Sequence, residues 1–197
     1  MNALLQNDLI IALGAAGLLI IALIAGLVMY RRRARRTPER RLRAASADCL
    51  AGFIIPNGDE GEIIVEYALL THGGIVIVDV KDVAGNIFGS DAMQDWTVIS
   101  DKRRFTFANP QYALYDRLAA IKRLVTNVPV TGHVVFTNRG HFSKGRPTDV
   151  IALDALIERL DEERRAADED RIRAWQPQWD LLRETIVTTQ VDHLMRR

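Results

Sequence analysis

The first hydrophobic feature of the chain is an uncharged stretch from Leu9 to Tyr30, after which charged residues are frequent. Its length of about 22 residues is enough for a helix that crosses a hydrocarbon core of roughly 30 Å. A buried core helix is expected to carry a polar stripe, and this stretch has none. A cleaved signal peptide is expected to begin with basic residues, whereas the only charged side chain here is Asp8. The pattern predicts a transmembrane helix over residues 9–30, preceded by a short extracytoplasmic segment, residues 1–8.

Arginines cluster directly after the predicted membrane helix, in and beyond a basic linker at residues 31–37. They stand at positions 31, 32, 33, 35, 36, 40, 41 and 43. Because cytoplasmic flanks are enriched in Lys and Arg, this run predicts a single-pass protein of the cell (inner) membrane with its N-terminus outside and its C-terminal domain in the cytoplasm. Such arginines also bind anionic head groups, so the lipid bilayer is an expected partner. A nucleic-acid-binding arm is the alternative interpretation.

A helix start follows the basic linker. Thr37-Pro38 is typical of an N-cap followed by a first turn, and the helix is expected to reach about Ala51 with Cys49 near its apolar face. A single cysteine excludes an intramolecular disulfide and suits a reducing compartment, so Cys49 is expected to be a small packing residue. The four histidines lack the spacing typical of a zinc site. They are His72, His133, His141 and His193.

Further along, strand and helix signals alternate. Gly73-Gly74 predicts a hairpin, and Gly85-Asn86 predicts a second turn. Runs rich in β-branched and aromatic residues predict strands, and apolar residues at helical spacing predict helices. The predicted strands are Glu62–Leu70, Ile75–Lys81, Asp95–Ser100, Arg103–Phe107 and Thr131–Thr137, and the predicted helices are Pro110 to about Val125 and a helix from about Asp154.

The end of the chain is expected to be a solvated helix. Residues 161–173 carry charges on every face, and Pro177 is expected to break this helix. The last 20 residues have no assigned element. Taken with the order of elements, this predicts an α/β fold in which a small mixed-sheet domain (residues 38–153) is followed by a charged helical C-terminal extension (residues 154–197).

The candidate site residues lie at the end of the most apolar predicted strand. Period-2 alternation places Asp79 and Lys81 on one face, and a charge in such a strand costs several kcal/mol unless it has a partner, a metal or a cleft. On the preceding strand the same alternation puts Glu62, Ile64, Glu66 and Ala68 on one side. If the hairpin pairs these strands, Glu66 lies close to Asp79, and two carboxylates beside a lysine suit a hard divalent cation. The alternative is a structural ion pair between Asp79 and Lys81.

The segment EYALLTHGGIVIVDVK, residues 66–81, resembles the heart of the nuclease-related domain (NERD) family. Further landmarks of the family follow in order: Gly85–Gly89, Trp96 and Asn109-Pro110. The resemblance covers about Pro56 to Thr137. The family is similar in fold to the PD-(D/E)xK nucleases, of the restriction-endonuclease-like type, whose site has an acid on one strand and an acid-x-Lys sequence on the next.

The resemblance implies a role for each candidate residue. Glu66 is the first acid, Asp79 the second acid and Lys81 the lysine. A Mg²⁺ or Mn²⁺ ion held by both carboxylates and the Val80 carbonyl would polarise a phosphate and lower the pKa of a water molecule. Lys81 would position that water or stabilise charge on the phosphate oxygens.

The chain departs from the family pattern at several positions. The family usually has Asp where Glu66 stands and Glu where Asp79 stands, so both acids are exchanged in length. A family Gln commonly follows the Asn-Pro by three positions, where this chain has Ala113. Gln111, with Asn109, is therefore a possible supporting residue.

The expected function is that of a membrane-anchored nuclease-related protein which hydrolyses DNA or RNA at the cytoplasmic face with Mg²⁺ or Mn²⁺. The formal net charge of +1 neither favours nor excludes nucleic acid as a partner. The alternative is a catalytically degenerate module that binds nucleic acid or a protein partner at the membrane. A third hypothesis is an assembly subunit that binds a protein partner through the charged C-terminal helix and the Trp175–Trp179 tail.

Overall fold

The computed structural model of the chain describes residues 37–58, 61–101, 103–167 and 170–195, with side chains up to residue 189. The predicted transmembrane helix and the segment before it lie outside these residues. Among the described residues, no helix combines the length and the apolar composition needed to span a bilayer.

The described residues form four helices and nine strands. The helices are α1 (Pro38–Ala45), α2 (Pro110–Leu124), α3 (Leu153–Ala166) and α4 (Asp170–Met195). The strands are β1 (Asp48–Pro56), β2 (Glu62–Thr71), β3 (Gly74–Lys81), β4 (Gly85–Phe88), β5 (Asp95–Ser100), β6 (Arg103–Ala108), β7 (Val130–Phe136), β8 (Gly140–His141) and β9 (Val150–Ala152).

The strands form two sheets. The larger has the order β1-β2-β3-β7-β9, in which β1, β2 and β3 are antiparallel neighbours while β3, β7 and β9 are parallel. The smaller has the order β6-β5-β4-β8. The prediction of a mixed α/β fold is confirmed, but the strands form two sheets where one mixed sheet was expected, and strands β1, β4, β8 and β9 were not expected.

Helices cover both faces of the larger sheet. On one face, α2, α4 and the inner face of the smaller sheet enclose a core that includes Ile77, Trp96, Leu114 and Trp179. On the other face, α1 and α3 enclose a second core around Val78. Strand β3 is therefore buried from Gly74 to Asp79, which explains its continuous apolar run.

The first helix is shorter than predicted. It ends at Ala45, and the residues from Asp48 form β1 instead of a further helical turn. Pairing along nearly the whole of β2 overrides the helix propensity of this Ala-rich stretch. Cys49 is buried in the core, as its packing role predicted, but it lies in a strand.

The two predicted turns have different outcomes. The hairpin between β2 and β3 is confirmed, with Gly74 at φ 123° and so close to Pro129 that an added Cβ would overlap the Pro129 carbonyl oxygen. Gly85-Asn86 is not a turn, since both residues belong to β4, which pairs with β5 and β8. A glycine suits this position because a Cβ at Gly85 would meet the Ile99 carbonyl oxygen.

The C-terminal segment packs against the domain. The charged run is divided between α3 and α4, and Pro177 lies inside α4 instead of ending a helix. A proline in a helix interior costs about 3 kcal/mol, and anchors on both sides offset it here. The indole of Trp175 donates to the His72 carbonyl at 3.2 Å, and the fully buried Trp179 donates to the Asp48 carboxylate at 2.9 Å.

His133 makes the stability of the fold depend on pH. It is buried on the α3 face of β7, and neither ring nitrogen has a hydrogen-bond partner among the described residues. Burial lowers the pKa of His133 below its ordinary value, and the positive charge of Arg159 acts in the same direction. Below about pH 6.5, His133 binds a proton in the unfolded chain but stays neutral in the folded chain. The free energy of unfolding therefore falls as the pH drops through this range.

We expect His133→Val to remove this loss of stability at low pH. The wild type should lose about 1 kcal/mol more than the variant between pH 7.5 and pH 5.5, measured as the free energy of unfolding at each pH. His141→Val is the matched control, because His141 is exposed in β8. The explanation fails if His133→Val keeps the pH dependence of the wild type.

Candidate functional site

The candidate site lies where strands β2 and β3 separate. Their paired register runs from Thr71–Gly74 to Tyr67–Val78 and stops there, one position before Glu66 and Asp79. On the other side of β2, the pairs with β1 skip Gly52, which has φ 61°. Both neighbours of β2 therefore lose regular pairing beside Glu66.

The side-chain alternation of β2 also breaks at this point. Val65 and Ala68 both lie in the α2-side core, although regular alternation would place them on opposite faces. The predicted common face of Ile64, Glu66 and Ala68 is consequently wrong, since Ile64 is 62% exposed and Ala68 is fully buried. The break turns the Glu66 side chain toward β3.

Glu66 fills the gap between the two strands. Its Oε2 accepts the backbone N–H of Val80 at 2.8 Å, in place of the ladder bond that a continued strand pair would supply. This bond fixes the carboxylate next to the peptide that joins Asp79 to Val80. The half-buried Glu66 is thus brought to the second acid, as the sequence predicted.

Asp79 turns to the α2 face of β3 and is only 1% exposed. Its Oδ2 accepts Nη1 of Arg117, from α2, at 2.8 Å. Its Oδ1 is buried and has no hydrogen-bond partner among the described residues. A buried, ionised carboxylate oxygen without a hydrogen-bond partner is energetically unfavourable, and this favours a ligand at Oδ1.

Lys81 and the Val80 carbonyl complete the group. Successive residues of a strand direct their backbone groups to alternate neighbours. The Lys81 carbonyl accepts the N–H of Thr137, after β7, while the Val80 N–H points to Glu66. The Val80 carbonyl is accordingly directed to the β2 side, where the predicted ion would lie. Lys81 is half-buried at the end of β3.

Burial has the largest effect on the pKa of both acids. Burial raises the pKa of Glu66 above its ordinary value, and the negative charge of Asp79 adds to this, while the Val80 N–H and the charges of Lys81 and Arg117 act against it. Burial likewise raises the pKa of Asp79, opposed by Arg117 and Lys81. For both acids the cost of burial outweighs the effect of the two basic side chains nearby.

The donors fit a hard divalent cation. The buried Oδ1 of Asp79 lacks a partner, Glu66 has a second carboxylate oxygen, and the Val80 carbonyl lies on the same side. All are oxygens, the ligand type that Mg²⁺ and Mn²⁺ prefer. Nowhere among the described residues do three or more His, Cys, Asp or Glu side chains gather as a metal-binding group. A cation at this site would therefore depend on two carboxylates and a backbone carbonyl, with water completing the coordination.

The possible supporting residues lie at the start of α2. Asn109 caps the helix, since its Oδ1 accepts the Gln111 N–H at 2.9 Å and its Nδ2 donates to Met93. The Gln111 amide donates to Asp91 and to the Thr148 carbonyl, both at 2.7 Å. These hydrogen bonds tie α2 to the surrounding loops and are not made to the carboxylate pair.

Arg117 is the residue that the sequence interpretation missed. A signal was present, because Arg117 lies within the apolar stripe of α2 formed by Leu114, Leu118 and Ile121. A charge on the buried face of a helix needs a partner, although the sequence alone does not say which acid supplies it. The structure assigns the ion pair of Asp79 to Arg117 and not to Lys81.

Comparison with known proteins agrees with this architecture. The family model of the nuclease-related domain (NERD) matches residues 33–137, more than half of the chain, and covers the segment from the basic linker through β7. A search of curated proteins gave no match. Nuclease-like domains of this kind are generally metal-dependent, which agrees with the oxygen donors between β2 and β3. The chain belongs to the nuclease-related domain family.

Proposed function

We propose that this protein is a membrane-anchored nuclease that hydrolyses phosphodiester bonds of DNA or RNA at the cytoplasmic face, using Mg²⁺ or Mn²⁺ held by Glu66, Asp79 and Val80. The observation that carries the proposal is the buried, unpartnered Oδ1 of Asp79 beside the Glu66 carboxylate. The uncharged stretch at residues 9–30 and the arginines after it support the anchor and its orientation.

Each residue has a defined part in the proposed reaction. A bound divalent cation would supply Lewis-acid polarisation of the scissile phosphate. Glu66 and Asp79 would bind and orient the cation at the gap between the strands, where the hydrogen bond from the Val80 N–H keeps Glu66 in place. Lys81 lies at the end of β3 and would stabilise the negative charge that develops on the phosphate oxygens.

Replacing Lys81 with alanine tests the proposal. Incubated with Mg²⁺ or Mn²⁺ and with plasmid DNA or single-stranded RNA, the full-length wild type should cleave one of these substrates, and Lys81→Ala should cleave it about a hundredfold more slowly. Lys122→Ala is the control, because Lys122 is an exposed lysine of α2. Equal cleavage by the wild type and Lys81→Ala would contradict the catalytic assignment.

A second candidate function is favoured by one contact. Arg117 already neutralises Asp79, so the module can be a degenerate one that binds nucleic acid or a protein without cleaving. Binding of nucleic acid with no metal-dependent cleavage by the wild type would support this alternative. A protein partner at the C-terminal helix stays a prediction, and its test is a crosslink that requires the Trp175–Trp179 tail but not the site residues.

A further inference from the structure

The Arg117 side chain bridges β2 and β3 where their own pairing ends. Its Nε donates to the Ile64 carbonyl of β2 at 2.6 Å, and its Nη1 donates to Asp79 of β3 at 2.8 Å. The Arg117 side chain is 20% exposed and the Asp79 side chain 2% exposed, so the pair is largely desolvated. One cation from α2 thus occupies the opening in which the two carboxylates meet.

The positive charge of Arg117 weakens the binding of a second cation nearby. In the low dielectric of a buried site, like charges a few ångströms apart repel several times more strongly than they do in bulk water. Arg117 holds Oδ2 of Asp79, while Oδ1 of the same carboxylate is the bare oxygen. A divalent cation at Oδ1 would therefore lie within one carboxylate group of the guanidinium.

We propose that Arg117 is a resident counter-ion of the site, which neutralises Asp79 in the metal-free protein and competes with the divalent cation for that carboxylate. The inference rests on the proposed metal site. Arg117 is a positioning residue, since it acts through Asp79. When the divalent cation binds Asp79, the hydrogen bond from Arg117 to the Ile64 carbonyl keeps the guanidinium beside the gap. Loading of the site is thus an exchange of one cation for another.

Arg117→Gln tests the exchange, because glutamine can still donate a hydrogen bond to Asp79 but carries no charge. Titration of the full-length chain with Mn²⁺ at pH 8, followed by electron paramagnetic resonance of the free ion, should show about tenfold tighter binding by Arg117→Gln than by the wild type. Asp79→Asn should remove this binding in both backgrounds. Arg123→Gln is the matched control, an exposed arginine of the same helix whose partner is Asn57, and it should bind like the wild type.

Two outcomes overturn the inference in distinguishable ways. Equal Mn²⁺ affinity of the wild type and Arg117→Gln, lost in Asp79→Asn, would exclude the competition and leave the metal site standing. No Asp79-dependent binding in either protein would overturn the metal site itself. If circular dichroism shows that Arg117→Gln is unfolded, Mg²⁺ titration of the ¹⁵N-labelled wild type decides, because the Arg117 Nε–H resonance should shift with saturation and an unchanged resonance would contradict the exchange.

Discussion

Replacing Asp79 with asparagine is expected to lower Mg²⁺-dependent cleavage by about a thousandfold while the domain stays folded, because the loss of a charged cation ligand removes about 4 kcal/mol of transition-state stabilisation. Asparagine has nearly the same shape, and its amide oxygen can still accept from Arg117. The measurement is the initial rate of cleavage by the full-length chain, with circular dichroism to establish the fold.

The matched control is Asp82→Asn, three residues further along the chain. Asp82 is exposed and pairs with Arg139 and Thr137 outside the carboxylate site. Its variant should cleave within threefold of the wild-type rate. If Asp79→Asn retained more than a tenth of the wild-type rate, Asp79 would not be a ligand of the reacting site.

Truncation of Trp179 to alanine is expected to cause the largest loss of stability, about 3–5 kcal/mol. The indole is fully buried in the α2-side core, and its N–H donates to Asp48 at the start of β1. Burial raises the pKa of Asp48, but the Trp179 hydrogen bond, the Cys49 N–H and Arg183 outweigh it and hold the pKa below its ordinary value. Losing the indole therefore leaves a cavity and weakens the contact of α4 with β1.

Thermal unfolding of the full-length chain, followed by circular dichroism, measures this loss. A loss of this size corresponds to a Tm lowered by roughly 10 °C for a domain of this length. Val187→Ala is the control on the same helix, since Val187 is 62% exposed, and it should change the Tm by no more than about 2 °C. A Trp179→Ala variant as stable as the control would show that the buried indole of Trp179 does not stabilise the fold.

The sequence predicted the elements whose local pattern agrees with their tertiary contacts. Strands β2, β3, β5, β6 and β7 and helix α2 follow patterns that tertiary contacts reinforce, and they are confirmed. Strand β1 was missed because its Ala-rich start has helix propensity, which pairing with β2 overrides. Pro177 was expected to end a helix because local rules do not include the tertiary anchors formed by Trp175 and Trp179.

The site was predictable in part. The hairpin was predicted, and its register places Glu66 and Asp79 one position beyond the last pair of β2 and β3. The local break in β2 was not predictable from spacing, because it arises where the strand loses both neighbours opposite Gly52 and Asp79. Arg117 belongs to a helix that reaches the site only through the packing of α2 on β3 and β7, so no local pattern pairs it with Asp79.

Crystals of the full-length chain soaked in MnCl₂ and measured at the manganese absorption edge test the metal site most directly. We predict one anomalous peak in the gap between β2 and β3, about 2.1 Å from carboxylate oxygens of Glu66 and Asp79 and from the Val80 carbonyl oxygen. A gap without manganese, with the Arg117 guanidinium still bound to Asp79 at saturating ion, would contradict the metal site and the hydrolytic function built on it.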